Sequence, residues 1–219
     1  MLDEGTVGEL RQLELRHEEL AAAAGRLRSL DSEVASVRGR SEEIDAFFAS
    51  YPEAERRRRD AVAAAEAELQ QRERELDDAR SSLRQAKGDE AIAAAERVVD
   101  RARDHVSVAA ERVARAAAAR EELEREADLF PRELPGLAER AGAVAVELDG
   151  IEAPDEAPRA LIDWAARAHA SLFVALAQVE GQRDRLVREA SELATVLLGE
   201  PAFGATPGQI RARVEALGG

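Results

Sequence analysis

Three histidines, at positions 17, 105 and 169, are the only imidazoles of the chain, and it has no cysteine. Disulfides and thiolate metal sites are therefore excluded. What remains open is acid–base chemistry or metal ligation by histidine with carboxylates. A Ser-His-Asp centre needs three convergent groups in a preorganised pocket. His169 shares a segment with Trp164 and Asp163, but no nucleophile stands at a useful spacing. His17 falls between Leu13 and Leu20 on an apolar stripe. A polar residue tolerated in a helix seam is the simpler reading there; the sharper one is a metal ligand meeting its symmetry mate. His105 follows Asp104 and reads as solvated. Ferritin-like centres place Glu-x-x-His motifs on facing helices, and none is expected here. The stretch 199–208 carries glycines and prolines but neither GxGxxG nor GK[ST]. The chain accordingly reads as a non-enzyme, with no catalytic, cofactor-binding or metal-binding residue assigned and no cofactor expected.

One block of charge invites a reason. Arg56, Arg57, Arg58 and Arg59 open a helical segment, where cations oppose the macrodipole. An anion contact would explain them; so would ion pairing with Glu121, Glu122 and Glu124 across a helical hairpin, and pairing is the expected answer. The rest of the charge points away from polyanions. The formal net charge is −14, whereas binding to nucleic acid or anionic lipid calls for a cationic surface. Lys87 is the only lysine, so arginine makes up 30 of the 31 basic residues. The Arg- and Ala-rich bias fits a GC-rich, bacterial genome.

Aromatics are 3 % and charged residues 35 % of the 219 residues. Such a chain is poor in the bulky side chains that wall an enclosed pocket. Alanine, glutamate, arginine and leucine are strong helix formers, so an all-α protein is expected. Breakers divide it into 1–51, a long N-terminal helix; 52–130, an antiparallel coiled-coil arm; 131–199, helices completing a small bundle with the end of the first; and 200–219, a loop and short helix. Pro52 and Pro131 are expected to end helices, Gly150 to Pro158 to form a loop, and Thr206-Pro207 to open the last helix. No apolar run approaches the roughly 18 residues that span a bilayer, the N-terminus lacks a signal-like apolar region, and a cytoplasmic location is expected.

The arm carries the strongest pattern. Val62, Ala65, Leu69, Leu76, Ala79, Leu83 and Ala86 alternate at spacings of three and four, with Arg72 the one exception. Ile92, Ala95, Val99, Ala102, Val106, Ala109, Val113 and Ala116 continue the rhythm beyond Gly88. In an antiparallel hairpin, facing residue numbers have a constant sum. A sum of 178 pairs Leu83 with Ala95, Ala79 with Val99, Leu76 with Ala102 and Leu69 with Ala109. Each layer then sets one large side chain against one alanine, which keeps layer volume constant. The expected fold is a long antiparallel coiled-coil hairpin, turning at Gly88 and projecting from a short three-helix bundle region. That bundle would combine Leu134, Leu137, Ala141, Val144 and Leu148 with Val34, Val37 and Ile44, and with a stripe from Leu161 to Leu197.

Leu10, Leu13, Leu20 and Leu27 are left without an evident intrachain partner, as are Leu193 and Leu197. Apolar stripes of that length do not stand in water, so a homodimer through these residues is expected. The leading functional expectation is a structural or interaction protein that acts as spacer, scaffold or assembly module and binds itself and a further protein.

The tip Lys87-Gly88-Asp89-Glu90-Ala91-Ile92-Ala93 is similar to the Lys-Gly-acidic turn of the phage-shock-protein-A and ESCRT-III-like family, and the order of a long hairpin followed by shorter helices resembles it too. That resemblance implies membrane-associated assembly. The family's amphipathic N-terminal membrane helix has no counterpart in Leu2 to Glu9, an acidic stretch with Gly5 and Gly8. The arm also resembles those of SMC-like chromosome tethers, without an ATPase motif. Cysteines introduced at Leu76 and Ala102 are expected to crosslink within one chain under mild oxidation. Crosslinking mainly between chains would replace the hairpin with a parallel dimer.

Overall fold

The computed structural model describes residues 4–199, 202 and 204–218. Met1 to Asp3 and Pro201 and Phe203, which entered the sequence reading, lie outside the described residues. The chain is all-α: among the described residues there are four helices and no strand. These are α1, Glu4–Gln85; α2, Asp89–Val146; α3, Pro158–Leu198; and α4, Pro207–Gly218. They form two compact units, one of Glu43–Leu134 and one of Met1–Glu42 with Pro135–Gly219.

In the unit Glu43–Leu134, α1 stops at Gln85 and the chain reverses at Gly88, whose φ of 89° is the left-handed conformation that glycine adopts without a Cβ penalty. Asp89 and Glu90 place negative charge in the first turn of α2, where the helix dipole favours it. Leu76, Ala79 and Val99 form a buried cluster, with Leu83, Ala102 and Val106 packed against it. Arg112 crosses to Glu68 with two hydrogen bonds of 2.6 and 2.8 Å. These contacts are compatible with the constant-sum pairing. All fifteen seam positions are buried or half-buried except Ile92 near the turn, at 36 % exposure.

The prolines do not break the helices. Pro52 lies inside α1, and Pro131 and Pro135 lie inside α2, so 1–51 and 52–130 are not separate helices. An interior proline costs about 3 kcal/mol through its lost hydrogen bond and ring clash. Packing beside Pro52 and Pro131 opposes that cost. Phe47 meets Phe130 edge-to-face at 4.6 Å between ring centroids, Phe48 meets Phe130 at 6.4 Å, and Tyr51 lies 5.6 Å from Phe47. Each such pair contributes roughly 0.5–1.5 kcal/mol beyond the area it buries. All three prolines face solvent.

In the other unit, Val34 and Val37 of α1, Leu137, Ala141, Val144 and Ala145 of α2, and Leu161, Trp164, Ala165, Ala168 and Leu172 of α3 are buried. Ser41, the one buried polar side chain there among the described residues, donates to its own helix at Val37 O, 2.8 Å away. Beyond the end of α2, the second half of α3 lies on the first turns of α1. Leu10, Leu13, Leu186, Ala190 and Ala194 make a core that Ile210 and Val214 of α4 complete. Leu20, Leu193 and Leu197 pack against it.

This overturns the expectation that the N-terminal leucine stripe lacks an intrachain partner. Leu10 is fully buried, and the surface argument for a homodimer through Leu10, Leu13, Leu20, Leu193 and Leu197 falls with it. Leu27 is half-buried. α3 is also, by length and composition, apolar enough to cross a membrane, against the expectation of no such run; Leu161, Trp164, Ala165, Ala168 and Leu172, within it, are core residues of this unit.

α4 begins as its sequence dictates. Thr206 and Gln209 form a reciprocal capping box: the Thr206 N–H donates to Gln209 Oε1 at 2.9 Å, and the Gln209 N–H donates to Thr206 Oγ1 at 3.4 Å. Pro207 takes the first helical position, where no backbone donor is needed.

The seam leads to a sharp comparison of neighbours. Ala109 is 1 % exposed and Ala110 is exposed. Ala109→Leu should overpack its layer and cost about 1–3 kcal/mol, while Ala110→Leu should stay within about 0.5 kcal/mol of the parent, both read from urea denaturation. Equal effects would mean that Ala109 does not face the partner helix.

Candidate functional site

The chemistry-bearing side chains of the unit Met1–Glu42 with Pro135–Gly219 are gathered along α1. Its Glu14 accepts from Arg211 of α4, which also donates to Glu215 at 2.6 Å. The Arg211 hydrogen bond, with its charge, holds the Glu14 carboxyl below the usual carboxylate range, and the same pairing raises Arg211. Gly208, in the first turn of α4, gives this approach clearance: a Cβ there would lie 2.6 Å from Glu14 Oε1, the flexible end of that side chain, which would have to shift. Glu14 thus meets the positive end of a helix dipole as well as a guanidinium.

Three residues on lies His17, half-buried. Its pKa is lowered, first by burial and then by the positive charge of Arg183 on α3, against the opposing pull of Glu18. The Arg183 Nε is buried and makes no hydrogen bond among the described residues. Glu14 and His17 do stand at Glu-x-x-His spacing, which the sequence reading overlooked. The carboxylate of that pair is taken by Arg211, and among the described residues no cluster of three or more His, Asp or Glu forms that could hold a metal ion.

Further along α1, Arg28 pairs with Glu180 of α3. Asp31 lies 2.6 Å from His169 Nδ1, so the partner of His169 is a carboxylate 138 positions away and not the nearby Asp163. Glu33 accepts from Arg140 of α2 at 2.6 Å, and Arg140 also donates to Ser36 Oγ at 2.9 Å; the Arg140 hydrogen bond lowers the Glu33 pKa. Trp164 is fully buried, with its indole N–H unpaired among the described residues. These are clamps between helices. Exposed ion pairs of this kind contribute about 0–1 kcal/mol each, and their geometry fixes which face of α3 and α4 meets α1.

The arginine block behaves differently from expectation. Arg56, Arg57, Arg58 and Arg59 are all exposed, and Arg57 pairs within its own helix with Glu53 at 3.6 Å. Glu121 and Glu124 pair with Arg125 and Arg120 on α2 itself. Among the described residues none of the four pairs with Glu121, Glu122 or Glu124 across the hairpin as expected from the sequence, and of the four only Arg57 pairs with a carboxylate, four residues away on its own helix.

The surface bears open grooves. Two run between α1 and α3, of about 420 and 530 Å³, and they share Arg16 and Glu189 in their walls. A third, of about 520 Å³, follows α1 from Glu19 to Leu30, and Glu147, just after α2, also lines it. A fourth, of about 710 Å³, is a charged hollow on α2 between Ala94 and Asp104. The set offers recognition surfaces along helices. Sequence reading missed the first three because it left α1 and α3 unpaired at that level.

Comparison with protein families, with curated proteins and with solved structures finds no match to this chain in any of the three. The resemblances at the hairpin tip and in the arm gain no support from them.

The sign of the His17 shift makes a pH prediction. A histidine whose pKa is lowered by folding stabilises the fold in its neutral form. That stability is present above its ordinary value of 6.5 and is lost as pH falls through the lowered one. The parent's melting temperature should therefore fall on going from pH 7 to pH 5, and His17→Gln should show a flatter profile over that range. Parallel profiles would remove His17 as the cause. Losses from Glu14 and Glu33, whose pKa values are depressed, come at lower pH.

Proposed function

We propose that this chain is a non-enzymatic structural or interaction protein in which the α1–α2 hairpin of the unit Glu43–Leu134 acts as a spacer with docking surfaces along it. The observation that carries this reading is the seam itself. Fifteen apolar positions of α1 and α2 are spent on pairing the two helices, fourteen of them buried or half-buried. The flanks remain charged, and apolar side chains such as Val98, Val108 and Leu129 stay partly exposed for a partner.

A helix pair of this kind holds its ends at a separation set by residue count, about 1.5 Å per residue. Its layers of alanine against a larger side chain hold the two helices close and in one register, which suits a rigid spacer better than a reaction site. The reading is tested by shortening. Removing residues 62–75 and 103–116 together deletes two heptads from each helix and preserves the constant-sum pairing. The shortened protein should keep its helical circular dichroism and melt cooperatively, yet behave as a deletion when it replaces the chromosomal copy in its host. A folded, shortened protein that complements fully would sink the spacer reading.

A further inference from the structure

We infer that the groove between α1 and α3, running on from the end of α2, takes a basic amphipathic helix of a partner protein. This rests on the reading of the chain as an interaction protein and assigns it one surface and one class of partner. The argument begins with the number of helices at each level of the unit Met1–Glu42 with Pro135–Gly219. Where α2 is present, three helices share a core, with Val37, Val144 and Ala168 among its buried residues. α2 ends at Val146, which is 88 % exposed. α1 and α3 continue past that point as a pair, held through Leu13, Leu186 and Ala190.

α4 covers one side of this pair, the side of Glu14. Ala23 follows Glu14 by nine residues, two and a half helical turns, and so lies on the opposite face of α1. That face is where the grooves run. The lining of the third begins with Glu147 at the end of α2, and Glu19 and Ala23 carry it into the second. The second passes into the first through Arg16 and Glu189. They form one track, and it continues the position that α2 fills lower in the bundle. Its floor is apolar, with Leu20 and Leu193 half-buried and Val196 80 % exposed at the far end. The valley between two packed helices accepts a third helix at an interaxial distance of about 8–10 Å.

Charge selects the occupant. Five glutamates and three arginines line the track, and the whole chain carries −14. A second copy would bring like charge to an acidic rim; a helix with arginine or lysine flanking its apolar stripe would meet opposite charge.

The absence of native cysteine permits a located test. Full-length Val196→Cys protein is labelled with an environment-sensitive naphthalene dye, and Ala110→Cys protein, labelled on the other unit, serves as control. Three synthetic 21-residue peptides are added in turn: a lysine-flanked amphipathic helix with leucine at heptad spacing, the same helix with glutamate flanks, and a scrambled form of the basic one. A saturable blue shift at position 196 alone, with the basic helix alone, is expected, and Ala22→Arg in the groove wall, which sets like charge against the lysine flanks, should weaken it at least tenfold. Equal shifts with the scrambled or acidic peptide, a shift at position 110, indifference to Ala22→Arg, or no shift would each overturn the proposal. A shift on concentrating the protein without peptide would also overturn it, by making a second copy the occupant. The hairpin-shortened protein retains this groove, so failure here and failure of the spacer reading are separately visible.

Discussion

The helix α1 runs for 82 residues and carries apolar positions that are buried along much of its length. In proteins most of a helix's stability comes from packing such a face against other elements rather than from propensity. Everything else in this chain can be understood as cover for that face. In the unit Glu43–Leu134 the cover is α2, returned by the turn at Gly88. In the other unit it is the end of α2 with α3, and then α3 with α4. Each element lasts as long as the apolar face it serves, and where one ends its place is either taken up by the next or left as a groove.

Alanine sets the terms of that cover. Leu76, Ala79 and Val99 are buried together with Ala102 beside them, an arrangement compatible with alanine facing a larger residue in each layer, in which each layer buries little area. Buried area contributes about 25 cal/mol per Å², and a layer of one alanine and one valine gives much less than a layer of two leucines. Stability per layer is small and is recovered through repetition. Specificity comes from alternation, since a slip of one heptad position would set large against large and alanine against alanine. Exposed arginine–glutamate pairs add little to this because solvent screens them. Arg112 with Glu68, Arg140 with Glu33, and Arg211 with Glu14 each join two helices.

Much of this was legible in the residues, because periodicity and capping are local. The turn at Gly88, the core positions of α3 and the Thr206-Pro207 helix start follow from spacing within a few turns, and the burial along Val62 to Ala116 is compatible with the seam read there. What was not legible depends on partners distant in sequence. Pro52 and Pro131 carry a local breaking signal, and the rings of Phe47 and Phe130, 83 residues apart by their numbering, oppose it. The return of Ala190 onto Leu10, and the pairing of His169 with Asp31, leave no mark on the local pattern of either strand of sequence. The arginine block was misread for a related reason. The constant sum shows which residues share a height, whereas an arginine chooses its carboxylate by side-chain reach and entropy, and a partner four residues away on the same helix is the less costly one to hold.

The clamp at Glu14 shows how such distant choices are fixed. A carboxylate at this point of α1 would be an ordinary solvated charge if α4 were absent. Three features of α4 convert it into a docking point: Pro207 starts the helix, Gly208 leaves space for the carboxylate to approach the first turn, and Arg211 supplies the charge one turn later. The three lie within five residues of each other, so a single short helix brings its dipole, its clearance and its cation to one atom pair. The apolar residues Ile210 and Val214 are then the positions that α4 must bury, and they complete the core around Leu10 and Ala194. A charged contact fixes the angle of entry, and burial supplies the stabilisation. The same division of labour runs through the rest of the molecule, where arginine and glutamate orient helices that alanine, leucine and valine hold together.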